Sequence, residues 1–284
     1  MRVKSLMLGA LVAAMAATAM AGDVILPTFA WNIPGKGGNN WSSEVYLTNP
    51  GPQAIQVTLA GVFIGRIKES HPCLPPSPVV VEVPAYSTHG WVAARLAMDL
   101  GCPDYVLAGL LLRSEGLFVV NSRMINTRAV PSPEALNLLQ GLSQEVPGIP
   151  VEALLQKGEV YMVPGLGWEP VPCGPVQFEN YLQIVNPNDE EATLTIGGDA
   201  LLQSGGFEID GRPVAGPHQV KLGARSWLQV KVGPGFLTGA PCRPATVGDV
   251  FVSASAPVAL YGSVVDRKTQ DPRTMMPVKV IAGP

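Results

Sequence analysis

Four cysteines, three histidines, one acidic cluster and five tryptophans are the residues of this 284-residue chain whose chemistry could reach beyond packing. A zinc site needs thiolates or imidazoles at short spacing, typically a C-x-x-C pair. Cys73, Cys102, Cys173 and Cys242 contain no such pair and read as disulfide partners. His71, His89 and His218 stand in no H-x-H or H-E-x-x-H frame, and no G-x-S-x-G elbow or Walker A loop is present. Gly35-Lys36-Gly37-Gly38 lacks the hydroxyl residue a phosphate loop places after its lysine, so it reads as a turn. Asn188-Asp189-Glu190-Glu191 gathers oxygen donors, but a calcium shell needs six or more, and the cluster reads as a solvated turn. No catalytic constellation, cofactor or metal is expected. A carboxylate pair for glycoside hydrolysis would have to be assembled from distant strands.

The chain that carries these residues repeats itself once. Trp31 recurs as Trp168, Pro27 as Pro164, Gly37 as Gly174, and Asn49-Pro50 as Asn186-Pro187, all 137 residues apart. Val45, Leu47, Val57 and Leu59 reappear as Leu182, Ile184, Leu194 and Ile196. The offset then drifts to 139 (Val83, Ala85, Ser87 against Leu222, Ala224, Ser226) and to 140 (Leu110, Leu112, Val120 against Val250, Val252, Leu260), as loop insertions would make it do. Two tandem copies of one module account for nearly the whole chain.

The repeat sorts the tryptophans. Trp31 and Trp168 are equivalent and Trp41 matches Phe178, so these three are expected to be structural. Trp91 and Trp227 are not equivalent to each other, although each follows the same turn. Core or rim packing is the commoner fate of a Trp. The alternative makes these two the candidate ligand-binding residues, since an exposed indole on a β face can stack on a sugar ring.

Composition and termini set the class. Charged residues make up only 14% of the chain while Gly and Pro number 31 and 28, the balance of many short strands joined by tight turns. Residues 1–21 read as a secretory signal: Arg2 and Lys4, an apolar run from Leu6 to Ala17, then Ala19-Met20-Ala21 before the cut. That run is too short for a membrane span. Cleavage near Ala21 is expected to leave a secreted chain, extracellular, periplasmic or attached to the cell surface. Its mildly acidic balance, without basic runs, makes nucleic acid a poor partner.

In the first copy, residues 23–30, 43–48, 54–60, 79–83, 89–96, 106–113 and 117–125 are the expected strands. Period-two alternation in Glu44-Val45-Tyr46-Leu47-Thr48 and Gln56-Val57-Thr58-Leu59, on either side of Asn-Pro-Gly-Pro, predicts a half-buried pair. Val106 to Leu112 is apolar at nearly every position, as a strand covered on both faces would be. The modules are set at 22–128 and 159–284, joined by a connector over 129–158. Within it Ser132-Pro133-Glu134 caps a helix carrying Leu136, Leu139 and Leu142, and Val151 to Lys157 forms a helical turn or two stopped by Gly158. The connector packs over the joint or forms a lid there; under a lid, a hydrolase site is the enzymatic alternative. The closing Thr274-Met275-Met276-Pro277 resembles the first strand of copy two and either completes that sandwich or pairs with the next molecule.

If each strand reverses direction, the first, third and fifth connections share one end of a module. Cys173, Cys73 and the equivalent pair Cys102 and Cys242 fall in those connections, which predicts Cys73–Cys102 and Cys173–Cys242 among the three possible pairings.

A Trp followed by alternation into Leu47-Thr48-Asn49-Pro50-Gly51, then Ala54-x-x-Val57-Thr58-Leu59 and a Val83-Pro84-Ala85 turn, resembles the Ig-like add-on modules of bacterial exported and surface proteins. The resemblance implies an all-β fold of two tandem immunoglobulin-like β-sandwich domains. It also implies a non-enzymatic structural, adhesive or protein-binding role at the cell surface, with a protein or glycan partner or self-association. The alternative is a carbohydrate-binding protein using Trp91 and Trp227.

Overall fold

The structure, a computed structural model, describes residues 20–35, 40–67, 78–102, 104–126, 143–168, 178–198, 207–210, 212–214, 216–234, 246–266 and 272–280. The described residues are all-β with one short α-helix. The first copy contains β1 (Met20–Trp31), β2 (Ile33–Pro34), β3 (Asn40–Asn49), β4 (Ile55–Ile67), β5 (Val79–Val83), β6 (Ser87–Val92), α1 (Ala93–Asp99), β7 (Val106–Asn126), β8 (Ser143–Pro147) and β9 (Ile149–Pro150). The second contains β10 (Val160–Trp168), β11 (Phe178–Asn186), β12 (Ala192–Gly198), β13 (Phe207–Ile209), β14 (Arg212–Val214), β15 (His218–Leu222), β16 (Ser226–Pro234), β17 (Thr246–Ala254), β18 (Ala259–Asp266), β19 (Pro272–Met275) and β20 (Val278–Lys279).

Strand pairing repeats with the sequence. In copy two, β15-β12-β17-β10-β20 form one sheet, and β16, β11, β18 and β19 pair in that order in the other. In copy one, β5-β4-β7-β1-β9 follow the first order, and β6, β3, the far half of β7 and β8 follow the second. Alternation aims one face of each strand inward: Val45 and Leu47 are fully buried in β3 while Tyr46 and Thr48 face outward. Separate apolar cores fill the two copies, one around Phe29, Leu47, Trp91, Leu110 and Phe118, the other around Leu182, Leu194, Val250 and Leu260.

Two expected strands, 106–113 and 117–125, prove to be one strand that turns a corner. Residues 106–113 pair with β1 and β4, and residues 119–126 run back along β3 in the opposite sheet. The corner lies at Ser114–Leu117, where Ser114 Oγ accepts from Gly116 N at 3.1 Å. A Cβ on Gly116 would overlap Ile55, so only glycine fits. Copy two makes the same passage through Ser255-Ala256-Pro257 and breaks the strand there.

The connector boundary needs correction. Residues 143–150 are strands β8 and β9, paired to β7 and β1. The closing segment pairs identically: Met275 opposite Gly262 and Val278 opposite Met162 match Val146 opposite Ser122 and Ile149 opposite Ile25. The chain therefore closes each copy with a strand that crosses between sheets, and in copy two that strand completes its own sandwich. Among the described residues of what remains, only Val151–Ala153 is helical, as one 3-10 turn, and Gly158 lies beyond it at φ +76°. The helix expected near 132–142 lies outside the described residues.

The expected strand over 89–96 ends at Val92, where α1 begins. Ala93-Ala94-Arg95-Leu96-Ala97-Met98 are strong helix formers. Ala93, Leu96, Ala97 and Leu100 are buried at helical spacing, and Arg95 pairs with Asp99 one turn on. Copy two has Gly233-Pro234 in the corresponding stretch, where β16 runs on through Pro234.

The repeated Asn-Pro dipeptide anchors the same turn in both copies. Buried Asn49 donates from Nδ2 to the carbonyls of Gln53 (2.7 Å), Val83 (3.1 Å) and Pro84 (3.0 Å), while its Oδ1 accepts from Gly51 N (2.8 Å). Asn186 donates to Glu190 (2.7 Å), Leu222 (3.3 Å) and Gly223 (2.8 Å) and accepts from Asn188 N (3.0 Å). One amide thus ties two turns together at the end of each sandwich.

Candidate functional site

A third apolar cluster lies between the copies. Ile25, Phe63, Leu107 and Ile149 on the outer face of the first copy's five-stranded sheet pack against Val185, Trp227 and Ala259 on the second copy, with Leu154 of the link between them. This explains the unbroken apolar run from Val106: Val106, Ala108, Leu110 and Leu112 face the first core, and Leu107 faces the seam. Polar groups stitch the seam. Trp227 Nε1 donates to the carbonyl of Pro27 at 2.8 Å, and Tyr261 Oη meets Thr28 Oγ1 at 2.8 Å, both buried. Gln144 accepts from Ser263 Oγ (3.1 Å) and donates to Thr274 Oγ1 (2.9 Å), and Thr274 donates on to the carbonyl of Glu145.

The two candidate stacking residues are therefore not platforms. Trp91 is 4% exposed, inside the first core opposite Val45; Trp227 is 6% exposed, inside the seam. Neither offers a ring face to a sugar, because burying that area is what each contributes to packing. The signal for Trp227 was its unmatched neighbourhood. Thr88, its counterpart in copy one, is exposed in the corresponding register position, and a Trp replaces it only where a second module covers the sheet.

The remaining candidates separate in space. His89 and His218 lie on β6 and β15 of different copies, both half-buried, and His71 lies outside the described residues. Asp189 pairs with Arg225 at 3.1 Å and Glu191 with Lys221 at 2.9 Å, so the acidic turn spends its charge on lysine and arginine. Among the described residues no group of three or more His, Cys, Asp and Glu side chains is placed to hold a metal ion. Cys102 is buried just beyond α1 and is not a free thiol; Cys73, Cys173 and Cys242 lie outside the described residues.

The electrostatics are those of ion pairs and buried phenols. The Arg113 guanidinium holds Asp23 below the usual carboxylate range, and Lys279 with Tyr161 does the same for Glu159. Their partners Arg113 and Lys279, and Lys221 beside Glu191, are pushed up in return. Tyr46 is raised by its hydrogen bond to Glu44, and Tyr161 and Tyr261 chiefly by burial. Each of these shifts moves its group away from neutrality, the reverse of what a general acid or base requires.

No protein-family model matches the chain, and neither a curated protein nor a solved structure matches it. No described helix is long and apolar enough to cross a membrane.

Proposed function

We propose that this is an exported, non-enzymatic protein of two Ig-like sandwich domains with a structural, adhesive or protein-binding role at the cell surface. The seam carries this reading. It fuses two copies into one stack through buried aromatic and hydroxyl contacts, and it fills with apolar side chains the joint where a lidded hydrolase would keep its site. A rigid two-module body suits a spacer or a display surface.

Support for the Ig-like assignment comes from the pairing of second with fifth strand (β3 with β6) and third with sixth (β4 with β7), as in that fold. The arrangement departs from the antibody pattern elsewhere: β5 pairs with β4, β1 lies beside β7 in the sheet of β4, and the returning half of β7 lies beside β3.

The cysteine pairing belongs to the same reading. Ile67, from which the chain leads on to Cys73, lies opposite Val106, a few residues after Cys102. Trp168 and Thr246, the strand ends nearest Cys173 and Cys242, lie opposite each other. Both neighbourhoods support Cys73–Cys102 and Cys173–Cys242.

Protease treatment of intact host cells tests the location: digestion of the chain with the membrane closed is expected, and full protection overturns it. Incubating the purified chain with chromogenic esters, glycosides and peptides tests the chemistry, since turnover that copurifies with the chain would remove the non-enzymatic assignment.

A further inference from the structure

We infer that the outer face of the second copy's five-stranded sheet is a self-association surface through which two chains pair about a two-fold axis. Eight large apolar side chains are conspicuously exposed among the described residues, and three of them, Val160 (42%), Val278 (54%) and Val280 (40%), share this one spot. Val280 N donates to the carbonyl of Val160 at 2.9 Å, and Val278 lies opposite Met162. Met162 in turn lies opposite Phe251. Directly opposed residues of an antiparallel pair point to the same side, so Val160, Met162, Phe251, Val278 and Val280 form one outward apolar row.

The repeat says what covers such a row. Met162, Val278 and Phe251 occupy the register positions of Ile25, Ile149 and Leu111, which lie in or against the seam of copy one under a module of the same plan. At the rim, Asp23 and Arg113 form a bidentate ion pair, whereas the corresponding cross-strand pair in copy two is Val160 and Ser253. A charged rim has thus been exchanged for an apolar one on the copy whose face is open.

The occupant is a second copy of this chain, meeting the same row. Continuing the stack would instead place the row on the outer face of β3 and β6. There Thr88, Thr48 and Asn121 stand at the positions of Trp227, Val185 and Tyr261, so the apolar anchors of the seam are missing. Val92 is exposed on this face, yet without counterparts of Trp227 and Tyr261 the face lacks the buried anchors that hold the seam. Against itself the row finds an apolar complement; Lys279 and Glu159 beside it neutralise each other at 2.5 Å, and Asp249, two residues from Phe251 on the same side of β17, accepts from Gly165 N at 3.2 Å.

Sedimentation equilibrium on the full non-reduced chain tests this independently of the cellular role proposed above. A monomer–dimer equilibrium is expected, and V160K/V278K is expected to weaken it by about tenfold or more, because two lysines would be buried against their own images. Both positions are exposed, so circular dichroism should not change, and V80K on the distant β5 edge should leave the dimer intact. Without any variant, amide exchange in peptides covering 158–166 and 272–280 should slow as concentration rises. A chain that stays monomeric to about 0.1 mM, a dimer indifferent to V160K/V278K, or growth past the dimer overturns the proposal.

Discussion

The indole of Trp227 occupies the space that a side chain on Gly65 would need: a Cβ built there overlaps the six-membered ring. Gly65→Ala is therefore expected to lose about 1–3 kcal/mol by overpacking the seam. Trp227→Ala should lose about 3–5 kcal/mol on its own. In the Trp227→Ala background the alanine at position 65 should cost almost nothing. Chemical denaturation of the four proteins closes the cycle, and additive losses would mean the two residues do not touch in solution.

Asn49 and Asn186 each satisfy three carbonyls with one amide. Substituting Asp puts a carboxylate oxygen where those carbonyls need a donor, so Asn186→Asp should destabilise by at least about 2 kcal/mol at pH 7. The penalty relative to wild type should shrink as pH falls, because a protonated carboxyl regains one donor. Urea titrations at pH 7 and pH 4 check both points, and equal penalties at the two values would refute the donor role.

Tyr261 is buried completely, and desolvation pushes its phenol far above the ordinary value. The unfolded chain ionises this group near pH 10. A phenol whose folded pKa is raised contributes its stability fully below that pH and loses it as pH climbs toward the folded value. Tyr261→Phe should cost about 1 kcal/mol at pH 7 through the lost bond to Thr28. It should also flatten the alkaline fall in stability above pH 10, measured by thermal melts; an unchanged slope would place the phenol in water.

Peptide mapping by mass spectrometry under non-reducing conditions is expected to link Cys73 with Cys102 and Cys173 with Cys242. Reducing either bridge should lower stability by about 2–5 kcal/mol. A linked peptide joining the two copies would overturn this pairing.

Much of this architecture is readable in the amino-acid order, because period-two alternation and Pro/Gly turns are local. Asn49 and Asn186 announced themselves by position, although their hydrogen bonds could not be foreseen. Residues 143–150 escaped notice for a physical reason: only the apolar pattern of Val146 and Ile149 matches Met275 and Val278, with no shared residue to mark the register. The run Ala93 to Leu100 did carry a helical period, and its neighbours' strand character masked it. Trp91 and Trp227 show the limit of reasoning from type alone. A large aromatic without a counterpart can signal a ligand or a buried contact, and only three-dimensional packing decides which.

The seam has a consequence for how the chain must be made. A ribosome or an export channel delivers the N-terminal copy first, yet Ile25, Phe63 and Leu107 on its outer sheet wait for Val185, Trp227 and Ala259, which come much later in the chain. Until residue 259 emerges, the first copy carries a greasy flank that is neither core nor finished surface. Nascent chains in that condition are prone to stick to one another or to recruit a chaperone. Truncation between the copies would freeze the molecule in that state, so the two halves depend on each other during biogenesis as well as in the finished fold.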